Sequence, residues 1–430
     1  MISRRDFLLA SAAMLGTACT KTVPGASLFS GTADTPSGSS SSAFATKGAH
    51  YFVPTPHIYF KTDQDLITKV KYDRVIPSPA GWRLNQTSTI TVIPENGKHV
   101  KRIRVPSAVH AIGRNAKLDL IYLVSVDQPA TLIAMNPHTF EVVNWIQRPI
   151  EDEDFIFSGH AIDIPGTEFI AVGMTGMKKG KHDHIAIRHG RTFKVEQRIS
   201  THGFEVHEIV LTLDGKYFAC AHYGSYMGTG PYREIGLGYV YHYAKDNTGF
   251  TYPAFVSMVD AKNGELKSIW RDHLGGQHGH VAIASGSNEP FIPHLPPFIR
   301  KEAKVHPRYL EGVQEKPIFG DEFQVKSNGL GVTVTFDQLH REVVIPARYK
   351  NLIVIGSEKT RKVTEIDITK LTTQRAPHGL EYHPNGKHYL VSTTNGILAF
   401  ERGTHKLVEA MSFSDIYLAI HSHFTIYSSS

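Results

Sequence analysis

The chain has 430 residues, 41% hydrophobic and 20% charged, which permits a sizeable core and excludes global disorder. Its 36 Gly, 23 Pro and 10% aromatics favour strands and turns over long helices, and the formal charge of +6 is scattered, without the basic block that nucleic-acid binding needs. The 25 histidines outnumber all Cys, Met and Trp together and ask for a chemical explanation.

The first element in chain order is an export signal. Ser3-Arg4-Arg5-Asp6-Phe7-Leu8 resembles a twin-arginine signal, followed by an apolar stretch from Leu8 to Leu15 and the small residues Gly16-Thr17-Ala18. A stretch of eight residues cannot cross about 30 Å of hydrocarbon, so residues 1–18 are expected to be cleaved and to leave no transmembrane span in the mature protein. Cys19 then stands where a lipid anchor would attach. Gly16, however, occupies the place three before it where a lipobox has Leu, so simple cleavage is the first expectation and lipidation the alternative. Residues 19–48, rich in Ser, Thr, Gly and Pro, are expected to be a flexible linker. The expected location is the periplasm, reached by folded export. Cys220 is the lone thiol beyond the linker, in the strand-like Tyr217-Phe218-Ala219-Cys220-Ala221, so core burial must hold the fold without an internal disulfide.

From residue 49 to 430 one pattern recurs: a short apolar strand, a polar turn and a second strand. Copies begin at Ile90-Thr91-Val92-Ile93, Leu132-Ile133-Ala134-Met135, Ile185-Ala186-Ile187-Arg188, Val256-Ser257-Met258-Val259, Leu352-Ile353-Val354-Ile355 and Ile397-Leu398-Ala399-Phe400. The period is about 45–50 residues, and the gap between the copies at 256 and 352 spans two periods, so one copy is hidden there. Short segments carrying His or Gly form a second register at His110, His160, His207, His280, Asn328, His378 and His423. Both registers point to an all-β, seven-bladed β-propeller of four-stranded blades. A C-terminal strand 421–427 is expected to join the N-terminal blade, near residues 65–105, and so close the ring. Insertions fall at about 223–253, rich in Tyr and Gly, and at 290–317, rich in Pro.

Each station should begin the innermost strand of its blade and so face one central channel. On that basis His110, His160, His207, His280, His378 and His423 are candidate ligands of a transition metal, since imidazole suits iron, copper, nickel and zinc. His278 and His421, two residues earlier on the same strand face, are the fallbacks. Asp163, Glu208 and Glu381 are candidate partners that orient the ring nitrogens. The competing account is that a histidine at a fixed place in each repeat only bonds neighbouring strands. His182-Asp183-His184, in the basic loop Lys178–His184, is expected to be a solvated tip, and Arg341 and Arg348 to make surface ion pairs. No nucleophile elbow, phosphate-binding loop, dinucleotide fingerprint or zinc-protease helix motif occurs.

Phe157-Ser158-Gly159-His160-Ala161, then Thr201-His202-Gly203 with His207-Glu208 and Asp214-Gly215-Lys216, then Val259-Asp260-Ala261 with Gly264-Glu265-Leu266, stand in an order that resembles a known family. It is a bacterial twin-arginine-exported family, known as domain of unknown function fifteen-thirteen, and the resemblance covers about residues 105–412. It implies a seven-bladed propeller encoded beside imelysin-type iron-regulated proteins and dihaem oxidoreductases. The resulting expectation is a periplasmic propeller binding iron or copper through channel histidines, with metal-uptake or redox proteins as partners. Two alternatives stay open: a non-enzymatic scaffold recognising a protein through its loop face, and a lactonase-like hydrolase acting on a small molecule.

Overall fold

The computed structural model describes residues 48–56, 70–79, 87–125, 130–147, 154–176, 182–223, 225–228, 240–243, 254–271, 279–284, 290–291, 313–314, 333–414, 416, 418 and 423–428. The export signal, nearly all of the linker and most of both insertions lie outside them, as do Asn328 and the fallback residues His278 and His421. The described residues are almost entirely strand, with three short 3-10 turns and no helix long and apolar enough to cross a membrane.

These strands build six four-stranded antiparallel blades in a propeller arrangement, not the seven expected. Blade 1 joins Thr425–Ser428, Ala49–Pro56, Ser88–Pro94 and Lys101–Val105. Blade 2 runs Ala111–Asn115, Leu120–Val124, Thr131–Met135, Val142–Gln147. Blade 3 runs Phe155–Asp163, Phe169–Gly176, His184–His189, Val195–Ser200. Blade 4 runs Val206–Leu211, Tyr217–His222, Phe255–Asp260, Leu266–Trp270. Blade 5 runs Thr335–Asp337, Glu342–Ala347, Leu352–Ser357, Val363–Asp367. Blade 6 runs Leu380–Tyr382, His388–Thr393, Gly396–Glu401, Phe413–Ser414. Two-residue parallel strands, Arg74–Val75 and Val313–Gln314, extend the outer edges of blades 1 and 4. The six hairpins legible in the sequence are the outer halves of these six blades. Where the hidden copy was expected, between blades 4 and 5, the described residues form only the pair Ala282–Ile283 and Pro290–Phe291.

The third strand of each blade is sandwiched between neighbouring blades, which is why its sequence is continuously apolar rather than alternating. Thr131–Met135 is buried at every position, as is its neighbour Leu120–Val124, whereas outer strands such as Val195–Ser200 expose alternate side chains. Apolar clusters join successive blades. Phe52 and Ile90 meet Ile121 and Ile133, and Tyr122 and Leu132 meet Phe157 and Val172. Ile185 and Ile187 meet Ile209 and Phe218, and Val344 and Ile353 meet Tyr389 and Val391. The short pair packs both ways: Val281 and Ile283 on Ala221 and Val256 of blade 4, Ala282 and Phe291 on Phe336 and Val343 of blade 5.

The C-terminal strand does join the N-terminal blade. Thr425–Ser428 pairs antiparallel with Ala49–Pro56, Ile426 opposite Tyr51, and that second strand starts well upstream of the expected residue 65. Ile426 and Phe424 are buried with Tyr51 and Val53 against Leu390 and Ile397 of blade 6. Cys220 is fully buried, as its sequence context suggested, and burial pushes its thiol far up from the ordinary value.

Ile426→Ala should therefore lower unfolding free energy by about 2–4 kcal/mol in a denaturant titration, because it empties a buried site between two blades. Deleting residues 419–430 should go further, baring the edge of Ala49–Pro56 and producing aggregation. A loss under about 0.5 kcal/mol for Ile426→Ala, the size expected of a surface change, would remove the C-terminal strand from the core.

Candidate metal centre

The innermost strands bring five histidines to one place. His110 directly precedes Ala111–Asn115, and His280 and His423 lie two residues before Ala282–Ile283 and Thr425–Ser428. His160 and His207 lie inside their strands, and both sit at bulges. Ser158, Gly159 and His160 together oppose the single residue Gly173, and His207 is the extra residue between the pairs Val206–His222 and Glu208–Ala221. A bulge re-aims a side chain without ending the sheet. Gly159 makes the first possible with a φ of +106°, a conformation that other residues rarely adopt.

The five rings form one cluster. His160 lies 5.2 Å from His110, 5.0 Å from His207, 5.7 Å from His280 and 4.9 Å from His423, between ring centroids. His110–His207 and His110–His423 are both 4.9 Å, His207–His280 is 5.0 Å and His280–His423 is 4.7 Å. Two donor triads result, His110/His160/His207 and His160/His280/His423, each with its nitrogens within 4.8 Å of one another, and His160 belongs to both.

The electrostatics suit ligation. The Nε2 atoms of His110, His160 and His423 are buried and accept or donate no hydrogen bond. An unmet buried nitrogen is costly, so these are atoms with something to gain from an electrophile. Burial, reinforced by the neighbouring imidazole of His280, holds His110 down to about 3. Burial likewise holds His160 and His423 well below the ordinary value, with further imidazoles adding to it. These three rings are therefore neutral at pH 7, the form that binds metals. Glu208 Oε2 accepts the Val281 N–H at 2.8 Å and lies 3.3 Å from His280 Nδ1, which orients that ring and leaves its Nε2 lone pair available.

His378 is not brought into this cluster. It precedes the equivalent strand Leu380–Tyr382 and is buried, but its Nδ1 donates to the Ala376 carbonyl at 2.7 Å and it belongs to neither triad. Ala376 carries a φ of +54°, and the turn it makes directs the ring back to its own backbone. Nor do Asp163 and Glu381 reach the rings as Glu208 does. They line a cavity of about 360 Å³ that continues from His160 and His423, together with Glu208 and Arg114. Burial pushes Glu381 up to about 7, against the nearby Arg114 and with Glu208 adding to the effect; Asp163 is also raised by burial and opposed by Arg114. Arg114 Nη1 donates to the Ile426 carbonyl at 2.7 Å.

Sequence reasoning missed three neighbours of the site. Thr333 stands at the station of blade 5: it lies two residues before Thr335–Asp337, as His280 does before its strand, and its Oγ1 is 3.3 Å from His423 Nδ1. Tyr223 lays its ring 5.1 Å from His207, and a methyl group on Gly279 would come within 2.6 Å of its Oη, so a side chain there would have to displace the phenol. Asp183 and His184 are buried, not a solvated tip. The Asp183 carboxyl accepts the Gly176 N–H at 2.8 Å and the N–H of Val206, fixing the residue just before His207; burial raises it to about 8 against those two hydrogen bonds. Arg341 does pair with Glu358, while Arg348 is buried rather than on the surface.

No family model matches the chain, and no curated protein does. A solved structure described as "Crystal structure of Nidogen/Laminin Complex" is similar with a TM-score of 0.42 and 10% identity, covering 88% of this chain and 98% of that chain, a likeness too distant to carry an argument.

Proposed function

We propose that this protein is a periplasmic propeller whose axial histidines bind one transition-metal ion, copper or iron, in metal uptake or redox handling. The observation that carries the reading is the convergence of five imidazoles, three of them with buried, unpartnered Nε2 atoms, in one cluster. Ligation asks for at least three of them to close to about 2.0–2.2 Å from the ion. The donor set narrows the metal. It holds no thiolate, Cys220 being enclosed in blade 4, and five imidazoles exceed the four positions of a structural zinc site. Among divalent ions an imidazole site holds copper tightest, and iron accepts the same donors at higher coordination number.

The same reading takes the pair Ala282–Ile283 and Pro290–Phe291 as the inner half of a reduced seventh blade, completing a closed ring. Its support is the packing of that pair on blades 4 and 5, and the packing of blade 6 on blade 1. The resemblance to the twin-arginine-exported family of unknown function agrees with an iron or copper role. So does the Arg4-Arg5 signal, since that route carries folded proteins.

Natively exported protein, analysed for bound metal after purification, should contain copper or iron at about one ion per chain. His160→Ala should abolish it, because both triads lose a ligand, while His378→Ala should leave it intact. Glu208→Ala should weaken affinity by about 10–100-fold through a disoriented His280. Metal-free wild-type protein that takes up neither ion would favour the scaffold alternative.

Acid should weaken the metal-free protein in a defined window. The unfolded His110 takes a proton near pH 6.5 and the folded one near 3, so its contribution is complete above about 6.5 and is lost as pH falls towards 3. The urea midpoint of wild type should fall across that window more steeply than that of His110→Gln. Equal slopes would show that His110 is not held neutral.

Replacing Arg4 and Arg5 together by Lys should leave precursor in the cytoplasm. Unchanged periplasmic yield would refute folded export.

A further inference from the structure

Two features border the cluster. Tyr223, at the end of the second strand of blade 4, sets its ring 5.1 Å from His207 and its phenol close to Gly279, beside His280. A cavity of about 360 Å³ is lined by His160 and His423. Asp163 from blade 3, Glu208 from blade 4 and Glu381 from blade 6 line it, against the single guanidinium of Arg114 from blade 2. His160, which faces this cavity, is more than nine-tenths buried and its Nε2 has no partner.

Resting on the metal-binding reading, we infer that the carboxylate-lined cavity is the route by which a hydrated divalent cation reaches the histidines. The chamber takes the cation with its water still on and hands it to the imidazoles as that water is lost. The volume permits this, because a water's share of liquid volume is about 30 Å³ and the chamber exceeds that of an ion with six waters. The donor types permit it as well. Carboxylates are hard ligands that hold hydrated cations loosely, while imidazoles bind copper and iron more strongly and form the destination. Three acidic groups on separate blades, within low-dielectric walls, bias the cavity toward a cation, whose approach favours their ionised forms, and Arg114 tempers the effect. Glu208 has a place in both halves: it lines the chamber and also orients His280.

The test follows the association of aqueous Cu²⁺ with metal-free protein by stopped-flow quenching of intrinsic fluorescence, at low and high salt. His160→Ala identifies the phase that reports the cluster, because this phase should vanish in that variant. Asp163→Asn with Glu381→Gln, both isosteric, should slow the wild-type phase by about tenfold or more at low salt and flatten its salt dependence. The dissociation rate into excess chelator should not change. Arg114→Gln should speed association, an opposite sign that a damaged fold would not produce. An association rate unchanged in both charge variants, with copper still bound, overturns the access route and leaves the metal site standing. No copper phase in the wild type overturns both.

Discussion

Burial of each blade on both of its faces is the constraint from which the site follows. Middle strands such as Leu120–Val124 and Thr131–Met135 have no solvent side, so neighbouring blades cannot slide without opening voids in clusters that contain Tyr122, Phe157 and Val172. Blade packing therefore fixes how far apart the innermost strands stand. Imidazoles carried on Phe155–Asp163 and Val206–Leu211 meet because their strands are held by apolar contacts made elsewhere. The histidine cluster is held in place as a consequence, by contacts that none of its own rings makes.

Against this frame the histidine cluster is a local departure that the fold must offset. Buried nitrogens normally find partners, yet three of the five rings keep an unmet Nε2. Two of the rings also occupy bulges, which interrupt the strand pairing that stabilises the blades. Asp183 compensates at one of them, receiving the N–H of Val206 just where the pairing of blade 4 becomes irregular. A scaffold needing histidines only to tie strands together would not leave their nitrogens facing one another.

Blade count and site were legible in the sequence to different degrees, for physical reasons. The six outer hairpins could be read because the third strand of each blade is doubly buried and appears as an uninterrupted apolar run. The stretch between blades 4 and 5 has no such run, and the seven-fold count rested on a spacing there rather than on a strand. Five of the six histidines could be grouped because each lies on or just before an innermost strand. His378 shares that position, and what separates it is a left-handed turn at Ala376 that no residue type announces. Thr333 was missed because it is neither histidine nor glycine, although it stands two residues before its strand as His280, His378 and His423 do. Tyr223 reaches His207 through the tertiary fold alone.

The first blade is finished by the last stretch of chain. Thr425–Ser428 supplies its innermost strand, and His423 beside it supplies one of the five imidazoles. Every other blade can form from chain that precedes this strand, and the cluster stays one imidazole short until His423 is made. A chain cut before His423 thus keeps the first triad but not the second. On the metal-binding proposal, a partly made chain would hold an ion more weakly than one that carries both triads, and the order in which the strands are synthesised becomes a checkpoint on loading.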